Sequence, residues 1–162
     1  AAKFGAKQII SFEPNPTLSN RFKKNIELNQ FQEIITVFEC ALGDKKGNAK
    51  LNLNEMDLGS SSLLKNDISK NFINVEVYSL LEILETNGIN EIDALKIDVE
   101  GFEDKVMKTF FEKSNTKLYP KIVIVEDSAQ NLWKWDMISW MYQHGYKSVK
   151  RLKSNLILKS IR

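Results

Sequence analysis

The residue types best suited to chemistry sit in short acidic stretches where apolar runs stop. One is Ala94-Leu95-Lys96-Ile97-Asp98-Val99-Glu100-Gly101-Phe102-Glu103, in which Asp98 and Glu100 fall where a helical pattern begins. Ligands of open α/β sheets bind at the carboxyl ends of the strands, so these acids stand where a ligand would be held. There they could orient a substrate hydroxyl, act as a base or hold a divalent cation. A plainer use is helix capping by Asp98 and a helix-dipole contact by Glu100. Capping accounts for one acid better than for two. Gly101 keeps the turn open for close approach. Lys96, if buried in the strand, needs a partner, and Asp98 is on its face. Glu103, one turn into the helix, is expected to be solvated.

A second junction is Ile9-Ile10-Ser11-Phe12-Glu13-Pro14-Asn15-Pro16. A carboxylate at a strand end can accept hydrogen bonds from both hydroxyls of a ribose. Its plainer roles are a solvated acid or a partner for the next helix N-terminus. Asn15 and the two prolines hold the turn. Glu126 and Asp127 end a third apolar run, Lys121 to Val125. If its strand neighbours the one before Asp98, four acids can meet in one crevice. Mg²⁺ takes such oxygens, but no metal ligand is assigned. His144 suits a helix C-terminus. Trp133, Met137, Trp140 and Met141 form a helical stripe of the kind that builds a core, with Trp135 off it. Lys147, Lys150, Arg151 and Lys153 make a basic, aggregation-resistant edge. Cys40, before Ala41-Leu42-Gly43, reads as a small apolar residue whose backbone could flank a purine.

The elements that must position these groups follow from periodicity. Ala1 to Lys7 reads as a helix end closed by Gly5. A strand is expected over Gln8 to Phe12, and then a helix to about Asn29, with Asn15 as cap and Pro16 in its first position. Ile34 to Phe38 is β-rich, and Ala49, Leu51 and Leu53 alternate as in a half-exposed strand. The polar stretch from Asn54 to Asn71 is a long loop of the functional kind. A strand from Val75 to Tyr78 leads into the capping box Ser79-Leu80-Leu81-Glu82 and a helix ending near Asn87-Gly88. Strands at Ile92 to Ile97 and Lys121 to Val125 flank a helix from Gly101 to Phe111. Leu132 to His144 is expected as a helix closed by Gly145. Tyr146 to Leu152 and Leu156 to Ile161 make a hairpin about Lys153-Ser154-Asn155. Alternating strands and helices predict an α/β, Rossmann-like three-layer sandwich, a mostly parallel sheet with an antiparallel C-terminal hairpin.

Length fits one domain: 162 residues, enough to bury a core. A net charge of +2 makes no demand for nucleic acid or an anionic membrane. One cysteine excludes an internal disulfide and fits the reducing cytoplasm. No apolar run approaches a membrane span, and no signal-peptide pattern is present.

The ordered set resembles the FkbM-type family of S-adenosylmethionine-dependent methyltransferases. It is carried by Ile10-Ser11-Phe12-Glu13-Pro14-Asn15-Pro16, Asn25-Ile26 with Asn29, Cys40-Ala41-Leu42-Gly43-Asp44 with Gly47, and Gly59-Ser60-Ser61-Ser62-Leu63. Leu95-Lys96-Ile97-Asp98-Val99-Glu100-Gly101 with Glu103 is the most distinctive part, and Glu126 and Gly145-Tyr146 also match. The resemblance implies a seven-stranded methyltransferase sheet and methylation of a hydroxyl on a sugar, glycolipid or secondary metabolite. It implies Glu13, with Asn15, at the cofactor ribose and Cys40, Ala41 and Leu42 beside the adenine. Asp98 would lie near the methionine end, with Glu100 orienting or deprotonating a small-molecule or glycan acceptor. The family opens with a strand ending in Asp and a Gly-rich loop. The present residues begin after that point, so the first strand is expected to be missing from this N-terminally truncated single domain. A strand–loop–helix unit of roughly 20–30 residues would be absent, and the segment alone is expected to bind cofactor poorly. Two other classes share the pattern: an NAD(P)-dependent Rossmann oxidoreductase, and a non-catalytic module binding a glycan or protein.

Overall fold

A computed structural model describes residues 1–53 and 71–161. The expected middle loop, with Gly59 to Leu63, lies outside the described residues apart from Asn71. The chain divides into two compact units, Ala1–Leu42 with Lys46–Val77, and Gly43–Lys45 with Tyr78–Arg162.

In the first unit, a single 3₁₀ turn at Ala2–Phe4 is closed by Gly5 at φ 86°, the left-handed conformation that a glycine adopts without strain. Strand β1 (Ile9–Phe12) runs parallel to β2 (Ile35–Phe38), with Ile9 opposite Ile35 and Phe12 opposite Phe38. Helix α1 (Pro16–Leu28) forms the crossover. Its start is fixed as the sequence requires. The Asn15 side chain accepts from the Thr17 amide at 3.0 Å, and Pro16 occupies a position that needs no donor. Strands β3 (Ala41–Gly43), β4 (Gly47–Asn52) and β5 (Phe72–Ser79) make a ladder in the order β3-β5-β4. Ala41, Leu51, Val75 and Val77 form its buried cluster, with Ala49, Leu53 and Ile73 packed against it.

In the second unit, helix α2 (Leu80–Thr86) begins at Ser79, whose hydroxyl accepts from the Glu82 amide as the capping box predicts. Strand β6 (Ala94–Ile97) runs parallel to β7 (Ile122–Glu126), and helix α3 (Glu103–Lys113) connects them. The sheet order is β6-β7-β9-β8, where β8 (Tyr146–Leu152) and β9 (Asn155–Ser160) are the expected hairpin and β9 is antiparallel to β7. Val123, Val125 and Leu158 are wholly buried, as are Met107 of α3 and Met137 and Met141 of α4 (Met137–Gln143). Among the described residues, no helix is long and apolar enough to cross a membrane.

The fold is thus mixed α/β. The described strands pair in three ladders. The β1/β2 and β6/β7 pairings are parallel, whereas β4/β5, β7/β9 and β8/β9 are antiparallel. Alternating burial is the mark of an antiparallel strand. Ala49, Leu51 and Leu53 alternate, and so do their partners around Val75 and Val77.

One expectation needs correction: the last helix starts at Met137 rather than Leu132. Asp136 caps it, its carboxylate accepting from the Ser139 amide at 3.0 Å. Asp136→Ala is expected to cost about 1 kcal/mol in urea unfolding at pH 7. Hydrogen bonds from Ser139 hold the Asp136 carboxyl below its ordinary value. Its stabilisation is therefore present above the unfolded carboxylate range and is lost as pH falls through the lowered value. The gap between wild type and variant should close in acid.

Candidate functional site

Because β1 and β2 are parallel, Glu13 and Glu39 emerge at the same carboxyl edge of the pair. The Glu13 amide donates to the Phe38 carbonyl at 3.0 Å. Glu39 is already engaged: the Ser19 hydroxyl donates to it at 2.9 Å, and Lys23 forms an ion pair with it. The Lys23 contact, with the Ser19 bond, holds the Glu39 carboxyl below its ordinary value. Among the described residues, Glu13 has no such cation. One of its oxygens accepts from the Asn15 amide at 2.8 Å. Burial pushes its carboxyl above the ordinary value, and that amide offsets part of the rise.

Asn15 is 2% exposed, and its Nδ2 finds no acceptor among the described residues. A half-buried carboxylate beside a buried, unpaired donor fits a vicinal diol, which can both donate and accept. The ribose of S-adenosylmethionine is such a group. Cys40, Ala41 and Leu42, following β2, are all buried. They can offer an adenine their backbone and little side-chain surface. Burial, and then the Glu76 charge, push the Cys40 thiol up to about 11, so it is no nucleophile near neutrality.

The raised Glu13 carboxyl has a measurable consequence. The fold binds this proton more tightly than the unfolded chain, so stability falls as pH rises from the ordinary glutamate range through the raised value. Glu13→Gln removes that penalty. The variant is expected to be more stable than wild type in urea at pH 7, and the advantage should vanish near pH 4.

In the second unit, Ile97 of β6 lies opposite Val125 of β7, which sets Asp98 beside Glu126 at their shared carboxyl end. Lys96 ion-pairs with Asp98, as their common face predicts. Carboxylate oxygens of Asp98, Glu103 and Glu126 come within 4.8 Å of one another. The expected foursome is therefore rearranged. Asp127 turns to Arg151, 2.7 Å away, and the member that sequence reasoning missed is Glu103. Far from solvated, Glu103 is wholly buried. It accepts from the Val99 amide at 2.8 Å, the Gly101 amide at 3.1 Å and the Trp133 indole at 3.0 Å. The overlooked signal was an acid in the first helical turn just after a glycine, placed to reach back to the amides ahead of the helix. With Glu103 bound to three N–H groups and Asp98 to an ammonium, a cation here would have to displace existing partners.

The turn itself is unusual. Glu100 has φ 53°, a left-handed conformation that is uncommon for a residue with a side chain, and Gly101 follows at φ 96°. Such conformations persist where surroundings impose them, and they cluster at functional sites. Asp104, also buried, accepts from the Lys134 and Trp135 amides at 2.8 and 3.3 Å. Trp133 therefore belongs, with Trp135, to an irregular segment fixed by α3 and not to the expected helical stripe. Met137, Trp140 and Met141 do lie on α4. His144 caps that helix, its ring stacked on Trp140 with centroids 3.8 Å apart. A cleft of about 370 Å³ lies at the other end of β6 and β7, by Ile92, Thr116 and Lys121. Lys121 is neutralised there by Glu91 and Asp93, and the cleft holds none of the strand-end acids.

Residues 1–148 match the family model described as the methyltransferase FkbM domain. The chain belongs to the FkbM methyltransferase family. Every candidate residue discussed above, from Glu13 to Trp135, falls inside the matched FkbM region. Two curated relatives are similar to it. Methyltransferase sdnD of Sordaria araneosa is 24% identical, with 65% of this chain and 52% of that protein covered. Methyltransferase 1 of Beauveria bassiana (strain ARSEF 2860) is 26% identical, with 65% and 50% covered. The chain spans about half the length of the curated relatives it matches. No solved structure matches it.

Proposed function

We propose that this chain is a Rossmann-like S-adenosylmethionine-dependent methyltransferase domain that methylates a hydroxyl of a sugar, glycolipid or secondary metabolite. The observation that carries the reading is the half-buried Glu13 carboxylate at a strand's carboxyl end, which among the described residues has no cation, beside the buried Asn15 donor that finds no acceptor among them. These two residues would hold the ribose diol, and the backbone of Cys40 to Leu42 would flank the adenine.

The cofactor supplies an already activated methyl group on a sulfonium, so the chain's task is mainly alignment. A hydroxyl is a poor nucleophile near neutrality and gains from a positioned base. Glu100, held in its left-handed turn, takes the acceptor proton. Asp98, ion-paired with Lys96, orients the acceptor.

The test is methyl transfer by the intact protein from methyl-labelled S-adenosylmethionine to polar lipids, glycans and hydroxylated metabolites. A methyl ether is expected, so label should survive mild alkali. Label released by alkali would mark a carboxyl ester, and label on nitrogen an amine acceptor; either would overturn the hydroxyl assignment.

A further inference from the structure

Glu103 does more than cap a helix. Its carboxylate is wholly buried, yet among the described residues its hydrogen-bond partners are all neutral N–H groups. Both oxygens are occupied from two directions. From the strand end come the Val99 and Gly101 amides, which bracket Glu100. From thirty residues downstream comes the Trp133 indole. The next residue, Asp104, fixes the backbone of that same downstream segment at Lys134 and Trp135. A buried carboxylate stripped of these donors would be costly, so each group constrains the others.

We propose that Glu103 is a positioning residue that locks the Asp98–Gly101 turn and the Trp133–Trp135 segment into one unit. The base-bearing turn and a tryptophan wall for the acceptor are thereby set together. The wall suits an acceptor with an apolar ring face, such as a sugar, because both indoles remain partly exposed. The claim about the acceptor rests on the methyltransferase reading; the coupling itself does not.

Hydrogen exchange tests the coupling without any ligand. Trp133→Phe removes one indole N–H and nothing from the turn. It should nevertheless speed exchange of the Val99 and Gly101 amides about tenfold, the order expected for losing a charge-assisted hydrogen bond from a shared acceptor. Amides of Val123 and Leu158 should exchange as before. Unchanged exchange at Val99 and Gly101 would overturn the proposal. This arm holds even if Glu103→Gln fails to fold.

The second arm, on the intact protein, follows the Trp133 indole resonance while S-adenosylhomocysteine is added, with calorimetry recording binding independently. The resonance should shift in wild type, and the shift should be lost in Glu103→Gln. A shift that persists in Glu103→Gln, or binding with no shift in wild type, would contradict a relay through Glu103. No heat of binding at all would instead count against the cofactor assignment, and the exchange result would then decide the coupling alone.

Discussion

Glu100→Gln is expected to reduce turnover by about 10²–10⁴-fold, the usual worth of a positioned general base, with S-adenosylhomocysteine affinity unchanged. The substitution keeps the shape, but it exchanges the charge and one acceptor oxygen for an amide donor and so removes the ability to take a proton. Glu100 itself sits at φ 53°, between two amides that are held by Glu103. On one side Val99, and on the other Gly101, donate to Glu103. Steady-state kinetics at saturating cofactor, with calorimetry on the same preparation, separates the two effects. Weakened cofactor binding with an unaltered rate for the bound complex would show that Glu100 is a binding residue.

Glu13→Ala should do the reverse. Two hydroxyl groups donating to one carboxylate are worth about 1.5–3 kcal/mol each, less the cost of desolvating the acid. A loss of roughly 10²-fold in affinity for S-adenosylhomocysteine is therefore expected, about 3 kcal/mol. The rate at saturating cofactor should stay near that of wild type. Glu39→Ala is the natural control, since Glu39 is occupied by Ser19 and Lys23 and should leave affinity intact. Equal losses in the two variants would mean that general charge, not a specific contact, is being measured.

The local code of this chain was easy to read. Asn15 with Pro16, Ser79 with Glu82, and Asn87 with Gly88 mark helix ends by chemistry that acts within a few residues, and each stands where expected. The Lys96–Asp98 pair was legible for the same reason, since alternate residues share a strand face. What escaped is non-local. Glu103 looked solvated because its place in the helix says nothing of Trp133, which is thirty residues away. The Trp133–Trp135 segment passed for helix because aromatic spacing suits a helical stripe. The Asp136 cap and the hold of Asp104 on two amides decide otherwise. The β4/β5 pairing was half legible: alternation shows along Ala49, Leu51 and Leu53, but the partner strand is set only in three dimensions.

The reading depends most on Glu13 gripping a ribose diol, and a ligand-and-residue cycle tests that contact directly. Calorimetry would compare S-adenosylhomocysteine with an analogue lacking both ribose hydroxyls, on wild type and on Glu13→Ala. Groups in contact are non-additive. The account predicts that removing the hydroxyls weakens binding to wild type about as much as Glu13→Ala does, and has little further effect on the variant. Two losses that simply add would contradict it.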